Sequence, residues 1–146
     1  MLNEKISESL ISLGNIAPVS QGVGTAVSGW VSLKNAHAAM ALINVGVFGA
    51  SATVDAKIQQ ATTSGGANAK DVTGKAIVQM LAAGGNGKQA MINFRPQDLD
   101  VNGGFTFVQL SVTVGTAATL IAADLVANAR FQPASDLNNA IVTQII

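Results

Sequence analysis

The chain contains no cysteine and no tyrosine, and it has a single tryptophan and a single histidine. Without cysteine there is no disulfide framework, no thiolate metal site and no thiol nucleophile. His37 stands alone, so one chain cannot build a metal site from two or three histidines. Trp30 is the only tryptophan, and a large apolar ring of this kind is expected to anchor the core or the end of a sheet.

Charged residues are scarce as well. Eight basic residues balance eight acidic ones, and together they make up 11% of the chain, against about 25% in an average domain. A basic face for nucleic acid is therefore not expected. A neutral surface gives little colloidal repulsion. The composition is thus typical of two kinds of protein and favours them about equally. One is a component of an assembly, and the other is an ordinary domain with a neutral surface.

Long hydrophobic runs are also missing. The most apolar segment, Ala38–Val54, is interrupted by glycines and polar residues, whereas a membrane-spanning helix needs about 20 mainly apolar residues. The N-terminus carries Glu4 and Glu8 within a broken apolar pattern, which is not typical of a signal peptide. We therefore expect a soluble protein made in the cytoplasm, with no membrane partner.

The residues that are abundant indicate a β-sandwich. Apolar residues make up 49% of the 146 residues and aromatic ones only 4%, so the apolar content is mostly Ala, Val, Ile and Leu. Small and β-branched side chains suit a thin, closely packed sandwich, and the length fits one domain with a core. We predict an all-β chain, with an N-terminal arm and edge segment over residues 1–27 and a β-sandwich domain over residues 28–146.

Ser28–Ala61 is predicted to form the central β-hairpin of this sandwich. Thr53–Gln60 alternates between apolar and polar residues, as a half-buried strand does. Ala38–Phe48 is apolar on both faces, which is typical of a strand that is buried on both sides or covered by a neighbouring subunit.

Both chain ends have two interpretations. Asn3–Gly14 has the caps and the spacing of a short amphipathic helix, but such a helix is marginal in water, so an extended arm that orders on a partner is the alternative. Asn15–Val27, which contains Pro18, is predicted to be an edge strand or a linker. The apolar segment Ser135–Ile146 is predicted to be a last strand or a clip onto a neighbour.

Two later segments depend on local sequence signals. Asn102 and Gly103 precede the strand-like Phe105–Val114, and Asn-Gly between strands predicts a hairpin with a type I′ turn. Ala117–Arg130 is helical by propensity. In a chain of strands it is equally compatible with a long strand, and we favour a strand that begins at Thr119.

Motifs that carry chemistry are incomplete. Asp98, Asp100 and Asn102 have the alternate spacing that opens a calcium loop. The twelfth position is Gln109 instead of the bidentate glutamate, so a tight turn is the favoured interpretation. A Ser-His-Asp arrangement would have to use His37, and no nucleophile elbow accompanies it. We expect neither a catalytic site, a metal site nor a cofactor, and a protein that is not an enzyme.

Five segments with strand and turn patterns carry a family resemblance: Gly29–Lys34, Val54–Ala61, Asn68–Ile77, Asp98–Phe105 and Pro133–Asp136. In these segments the chain resembles small virion proteins of tailed bacteriophages and prophages that are encoded among head genes. The resemblance implies a jelly-roll β-sandwich, preceded by the short N-terminal helix or extended arm. It also implies a capsid decoration (cement) protein. Such a protein sits outside the head as a homodimer or homotrimer and bridges neighbouring subunits of the major capsid protein.

A protein of that kind holds others together by burying surface, so the two apolar chain ends are candidates for contacts with the capsid or between subunits. The candidate contact residues are Leu2, Ile6, Leu10, Leu13, Ile141, Val142, Ile145 and Ile146. Two other functions stay open on the same fold. One is a head–tail connector or tail component, and the other is a carbohydrate-binding jelly roll that attaches the particle to cells.

Overall fold

Alternation of apolar and polar side chains produces most of the strands. The computed structural model describes residues 5–131 and 141–146. Helical segments within this part are short, namely α1 (Ile6–Ser9), α2 (Ala82–Gly85) and a 3-10 helix (Pro96–Asp98), and none is long and apolar enough to cross a membrane. The strands are β1 (Leu10–Gln21), β2 (Gly24–Val27), β3 (Val31–Ser32), β4 (Ala36–Val45), β5 (Thr53–Ala61), β6 (Lys70–Ala76), β7 (Met80–Leu81), β8 (Gln89–Phe94), β9 (Phe107–Gly115) and β10 (Thr119–Ala129).

The strands form two antiparallel sheets that pack face to face. The first sheet has the order β1-β10-β4-β8, and the second has the order β2-β9-β5-β6, with β3 paired to β9 and β7 paired to β5. When the two-residue strands β3 and β7 are set aside, the remaining eight strands have the connectivity of a jelly roll. The predicted all-β, jelly-roll-like sandwich is confirmed.

The core lies between the two sheets and consists mainly of aliphatic side chains. Ile43 on β4 and Leu125 on β10 enter it from the first sheet, and Ile58 on β5 and Leu110 on β9 enter it from the second. All four side chains are fully buried. Burial of this kind is the main source of stability in a sandwich whose aromatic content is low.

The predicted central hairpin over Ser28–Ala61 is wrong. β4 pairs with β10 and β8, whereas β5 pairs with β9, β6 and β7, so the two strands lie in different sheets. Each strand has an apolar inner side, and these sides meet across the core instead of sharing a ladder. The connection between them passes Gly49, where a Cβ atom would lie 2.5 Å from the carbonyl oxygen of Ala118. The crossing therefore needs a residue without a side chain.

The predicted amphipathic helix over Asn3–Gly14 is wrong from Leu10 onward, and residues 3–4 lie outside the described part of the chain. α1 covers a single turn, and Leu10 begins β1, which pairs with β10. Strand pairing satisfies the backbone of this segment and buries Ile11 and Ile16. A helix over the 12 residues of Asn3–Gly14 would have about three turns and would be marginal on its own in water.

The edge-strand interpretation of Asn15–Val27 is confirmed, because β1 and β2 lie at the edges of the two sheets. Pro18 lies in β1 within the register shift between Ile16 and Val19. A proline is tolerated there because the ladder is already interrupted. Residues 10–21 and 24–27 are thus strands of the sandwich itself, and the described residues that precede the sheets are residues 5–9.

The turn predicted at Asn102 and Gly103 is present, but it does not close a hairpin. A type I′ turn needs positive φ at both of these residues, and the positive φ of this turn, 78°, is found at Gly104. The Oδ1 atom of Asp100 accepts a hydrogen bond of 2.9 Å from the N–H of Gly103 and closes the turn. The turn belongs to the connection that leads from β8 in the first sheet to β9 in the second.

β10 confirms the strand interpretation of Ala117–Arg130, and it begins at Thr119 as predicted. It lies between β1 and β4, so pairing on both sides outweighs the helix propensity of its alanines. The C-terminal residues 141–146 form no strand. The predicted last strand over Ser135–Ile146 is therefore wrong for these six residues, and residues 135–140 lie outside the described part of the chain.

Candidate interaction surface

The outer face of the first sheet is assembled by the register of its four strands. Leu42 on β4 lies beside Asp124 on β10 and Met91 on β8, and Met40 lies beside Val126 in the next row. Residues opposite each other in an antiparallel pair share a face. We call this surface the low-charge face. Its outward residues are Leu10, Ser12, Asn15, Ser20, Ala38, Met40, Leu42, Asn44, Gln89, Met91, Asn93, Leu120, Ala122, Asp124, Val126 and Asn128.

The sequence of the four strands explains the character of this face. β1, β4, β8 and β10 together contain one acidic residue, Asp124, and neither Lys nor Arg. Met91 is 58% exposed and Leu120 is 46% exposed, while Met40 and Leu42 are half-buried. The low-charge face therefore presents apolar side chains to its surroundings. Such patches on soluble proteins mark interaction sites when they are contiguous.

β4 accordingly does not have two fully buried sides. Its inner residues Ala41 and Ile43 are buried in the core, but its outer residues Met40 and Leu42 are only half-buried. Of the two interpretations of Ala38–Phe48, burial on both sides by its own chain is wrong. Coverage of the outer side by a neighbouring subunit stays a prediction.

The outer face of the second sheet is polar, and its side chains bond to one another. Nζ of Lys57 donates a hydrogen bond of 2.8 Å to Asp71, and Nε2 of Gln59 donates one of 3.0 Å to the same carboxylate. Nε2 of Gln109 in turn donates to Oε1 of Gln59 at 3.1 Å. The hydrogen bonds from Lys57 and Gln59 hold the pKa of Asp71 below its ordinary value. The sandwich thus has one hydrated, internally paired face and one low-charge face.

A groove crosses one end of the low-charge face. Residues 120–122 of β10 form its floor, and residues 18–20 and 44–46 form its two walls. Its volume is about 400 Å³. At Gly46 an added Cβ atom would lie 3.0 Å from Cβ of Leu120, so the wall and the floor are in close contact. The groove is large enough for one or two apolar side chains of a partner.

The N-terminal contact candidates fall in different places. Leu10 lies on the low-charge face opposite Asn128. Ile6 lies in α1 and is 74% exposed. Leu13 is half-buried and packs against the core of its own chain, and a contact role for it stays a prediction. Leu2 lies outside the described residues.

The C-terminal candidates lie at the surface. Ile141, Ile145 and Ile146 are exposed, and Val142 is half-buried. Exposed isoleucines at the end of a chain are compatible with contact to a partner, and this role stays a prediction.

The carboxylates of the calcium-like motif are engaged by lysines. Nζ of Lys75 lies 3.0 Å from Asp98, and Nζ of Lys70 lies 2.7 Å from Asp100. Partial burial acts to raise the pKa of Asp98, but hydrogen bonds from Lys75 and from the N–H of Arg95 outweigh it and leave the pKa below its ordinary value. The hydrogen bond from Lys70 lowers the pKa of Asp100 as well. Across residues 5–131 and 141–146 no three His, Cys, Asp or Glu side chains cluster as metal ligands do.

Trp30 takes the sheet-end position predicted for it, and His37 lies at the surface. Trp30 is half-buried at the end of the second sheet, with its indole against Gly66. His37 is exposed near the start of β4.

A further pocket of about 400 Å³ lies at the opposite end of the sandwich from the groove and is lined by Ser32, Leu33, Lys34, Pro96, Leu99, Val101, Phe105, Thr106, Phe107 and Arg130.

Met91, Leu120 and Asp124 are members of the low-charge face that sequence reasoning did not select. The available signal was the near absence of charge from the segments that become β1, β4, β8 and β10. Spacing along one chain does not say which segments share a sheet. The near absence of charge therefore indicates a shared face only when the strand order is known.

No family model and no curated protein matches the chain. Solved structures with a similar arrangement include CBM4, at 17% identity over 71% of this chain with a TM-score of 0.42, and the chain covers only 60% of that protein. They also include the empty top-component particles of cowpea mosaic virus, at 13% identity with 85% of each chain covered and a TM-score of 0.42. Broad bean stain virus matches at 12% identity, with 91% of this chain and 96% of that chain covered and a TM-score of 0.44. Similarity at this level says nothing about what the chain does.

Proposed function

We propose that this chain is a virion structural protein of a tailed bacteriophage or prophage, and that it acts as a capsid decoration (cement) protein. The low-charge face carries the proposal. Five segments that resemble phage head-associated proteins support it, and so does the jelly-roll connectivity.

A cement protein needs burial and no chemistry. It resists the outward pressure of packaged DNA by covering joints between capsid subunits, and apolar surface removed from water contributes about 25 cal/mol per Å². Apart from Asp124, the four strands of this face contain no Asp, Glu, Lys or Arg whose hydration would be lost when the face is covered. In this proposal the low-charge face docks on the major capsid protein.

The polar face of the second sheet then points away from the shell. Its bonded side chains, such as Lys57 with Asp71, keep it hydrated at the outer capsid surface. The protein is made in the host cytoplasm and joins the particle there. Its partners are the major capsid protein and further copies of itself, as a homodimer or a homotrimer.

The proposal is tested by binding to virion shells that lack the protein. Leu42→Glu adds a carboxylate to the centre of the low-charge face, and Thr113→Glu adds the same group to the outer face of the second sheet. We expect shells to co-sediment with the wild type and with the Thr113 variant, but not with the Leu42 variant. Thermal unfolding of both variants checks that each remains folded.

Failure of the wild-type protein to bind the shells would refute the decoration role. Equal binding of both variants would instead place the docking surface elsewhere on a protein that does decorate the shell. The role of the N-terminal arm is tested separately by deletion of residues 1–9, because a longer deletion would remove part of β1, whose Ile11 is buried. Undiminished binding by this truncation would refute a contact role for Ile6.

Copy number separates decoration from the connector and tail alternatives. A decoration protein is present in proportion to the subunits of the shell, whereas a connector or tail component forms a single ring or tube. Quantitative gel densitometry of purified particles against the major capsid protein measures this ratio. For the carbohydrate-binding alternative, quenching of Trp30 fluorescence by sugars is the expected sign.

A further inference from the structure

Asp124 is the one charged residue in the four strands of the low-charge face. It lies on β10, an interior strand, with Asn15 on one side and Leu42 on the other. Along β10 its outward neighbours are Ala122 and Val126. A carboxylate thus lies in the middle of a surface that is otherwise uncharged.

This carboxylate has no partner within residues 5–131 and 141–146. The side chain of Asp124 is exposed and takes part in none of the ion pairs or side-chain hydrogen bonds of this part of the chain. The other acidic side chains of the β-strands differ, since Asp71 is held by Lys57 and Asp55 accepts a hydrogen bond of 2.7 Å from Gln79. When a docked partner excludes water from the face, an unpaired carboxylate is strongly unfavourable unless a cation accompanies it.

A second copy of this chain that docks through the same face brings no Lys or Arg from its four strands, because they contain neither residue. It would instead bring a second Asp124 to the interface, and like charges without counter-charges oppose association. The face is therefore complementary to a different surface.

The groove defines a second requirement for the partner. Its floor includes Leu120 and Ala122, the outward residues that precede Asp124 on β10. Outward residues follow one another at about 7 Å along a strand. An apolar side chain in the groove and a cation at Asp124 would thus be about 7 to 14 Å apart on the partner.

We infer that the low-charge face recognises a protein surface that presents one Lys or Arg next to an apolar side chain. The cation pairs with Asp124 and the apolar side chain fills the groove over residues 120–122. This inference rests on the proposed function and names the chemistry of the docking site on the major capsid protein. Homo-oligomer contacts then belong to other surfaces of the chain.

Charge variants of Asp124 test the inference on the same shells. Asp124→Asn removes the charge and Asp124→Lys reverses it, while Asp55→Asn and Asp55→Lys make the same changes on the opposite face. We expect Asp124→Asn to raise the Kd for shells about tenfold or more and Asp124→Lys to abolish binding. The two Asp55 variants should bind like the wild type. The Kd of the wild type should rise between about 0.05 M and about 0.5 M salt, and that of Asp124→Asn should rise less.

The outcomes are distinguishable. Wild-type binding that Asp124→Asn and Asp124→Lys leave unchanged would overturn the inference and leave the decoration role standing. Absence of wild-type binding would refute the decoration role itself. Sedimentation velocity of the free protein provides a further check. A wild-type dimer that Leu42→Glu disrupts and Asp124→Asn preserves would mean that the face is a contact between copies, and it would overturn the inference too.

Discussion

The indole ring of Trp30 lies directly against Gly66, in the connection between β5 and β6. A Cβ atom on Gly66 would collide with Nε1 of the indole and would lie 2.9 Å from Cε2. Gly66 also has a φ of 82°, a region that side chains of L-residues disfavour. The glycine therefore allows both the positive φ of the loop backbone and the close approach of the indole ring.

Gly66→Ala is expected to destabilise the fold by about 1 to 3 kcal/mol, because it adds a steric conflict to an unfavourable φ. Chemical denaturation followed by tryptophan fluorescence measures this loss, and the emission of Trp30 should shift to longer wavelength in the folded variant. Gly65→Ala is the matched control, since a Cβ there meets nothing closer than 3.8 Å. Equal stability of the two variants would contradict the close packing of Trp30.

Leu125 and Leu120 allow the core and the surface of one strand to be compared. Leu125 is fully buried and Leu120 is 46% exposed, both on β10. Leu125→Ala is expected to lower the free energy of unfolding by about 2 to 5 kcal/mol through lost burial and a cavity. Leu120→Ala should lower it by less than about 1 kcal/mol. Urea denaturation at constant pH measures both, and similar losses would refute the assignment of inner and outer residues.

Three aspartates make the free energy of unfolding depend on pH in the acid range. Asp71, Asp98 and Asp100 each have a pKa below the ordinary 3.8 in the folded chain. The unfolded state therefore binds more protons in this range, so stability rises with pH there. Their contribution is fully present above about pH 4 and is lost as the pH falls through the lowered values. The loss should be small because these ion pairs are largely exposed to solvent.

Urea denaturation between about pH 2 and pH 7 measures this dependence. Asp71→Asn removes the carboxylate that Lys57 and Gln59 stabilise. The free energy of unfolding of this variant should therefore decrease less than that of the wild type as the pH falls. Asp124→Asn is the control, because its carboxylate has no partner within the described residues. A profile that Asp71→Asn leaves unchanged would contradict the lowered pKa.

Calcium is not expected to bind at the motif that resembles a calcium loop. Lys75 and Lys70 already hold Asp98 and Asp100, and the side chain of Gln109 donates to Gln59 on the opposite side of the second sheet from the core. Titration calorimetry with calcium at about 1 mM, a concentration at which weak extracellular sites fill, should give no binding heat. A saturable signal that Asp100→Asn removes would refute this expectation.

Single strands were more predictable than their pairing. The alternation of Thr53–Gln60 correctly predicted β5, because a period of two depends only on which side of a strand meets the core. The strand from Thr119 was correctly favoured because the segment stands in a chain of strands. Pairing depends on contacts distant in sequence, and β4 and β5 were wrongly joined because neighbours in sequence are usually neighbours in a sheet. The Asn-Gly signal failed for a related reason, since Asp100 closes a different turn in a connection between sheets.

The candidate surface was only partly accessible to sequence reasoning. The apolar outer side of Ala38–Phe48 indicated that something covers it, but Asp124 stood in a segment whose helix and strand interpretations give it different neighbours. Once β10 is a strand between β1 and β4, Asp124 falls in the centre of one face. Its position follows from the strand order, which no local pattern encodes.

The place of β10 in its sheet also constrains how the chain matures on the ribosome. β1 and β4 are synthesised early, but they do not pair with each other. Both pair with β10, which ends at Ala129 and is synthesised after all other strands of the described sandwich. The nascent chain therefore carries unsatisfied strand edges until β10 has been synthesised, and such edges are prone to aggregation. Completion of the first sheet should therefore wait until β10 has left the ribosome, and chaperone holdases that delay premature contacts should raise the yield of native protein.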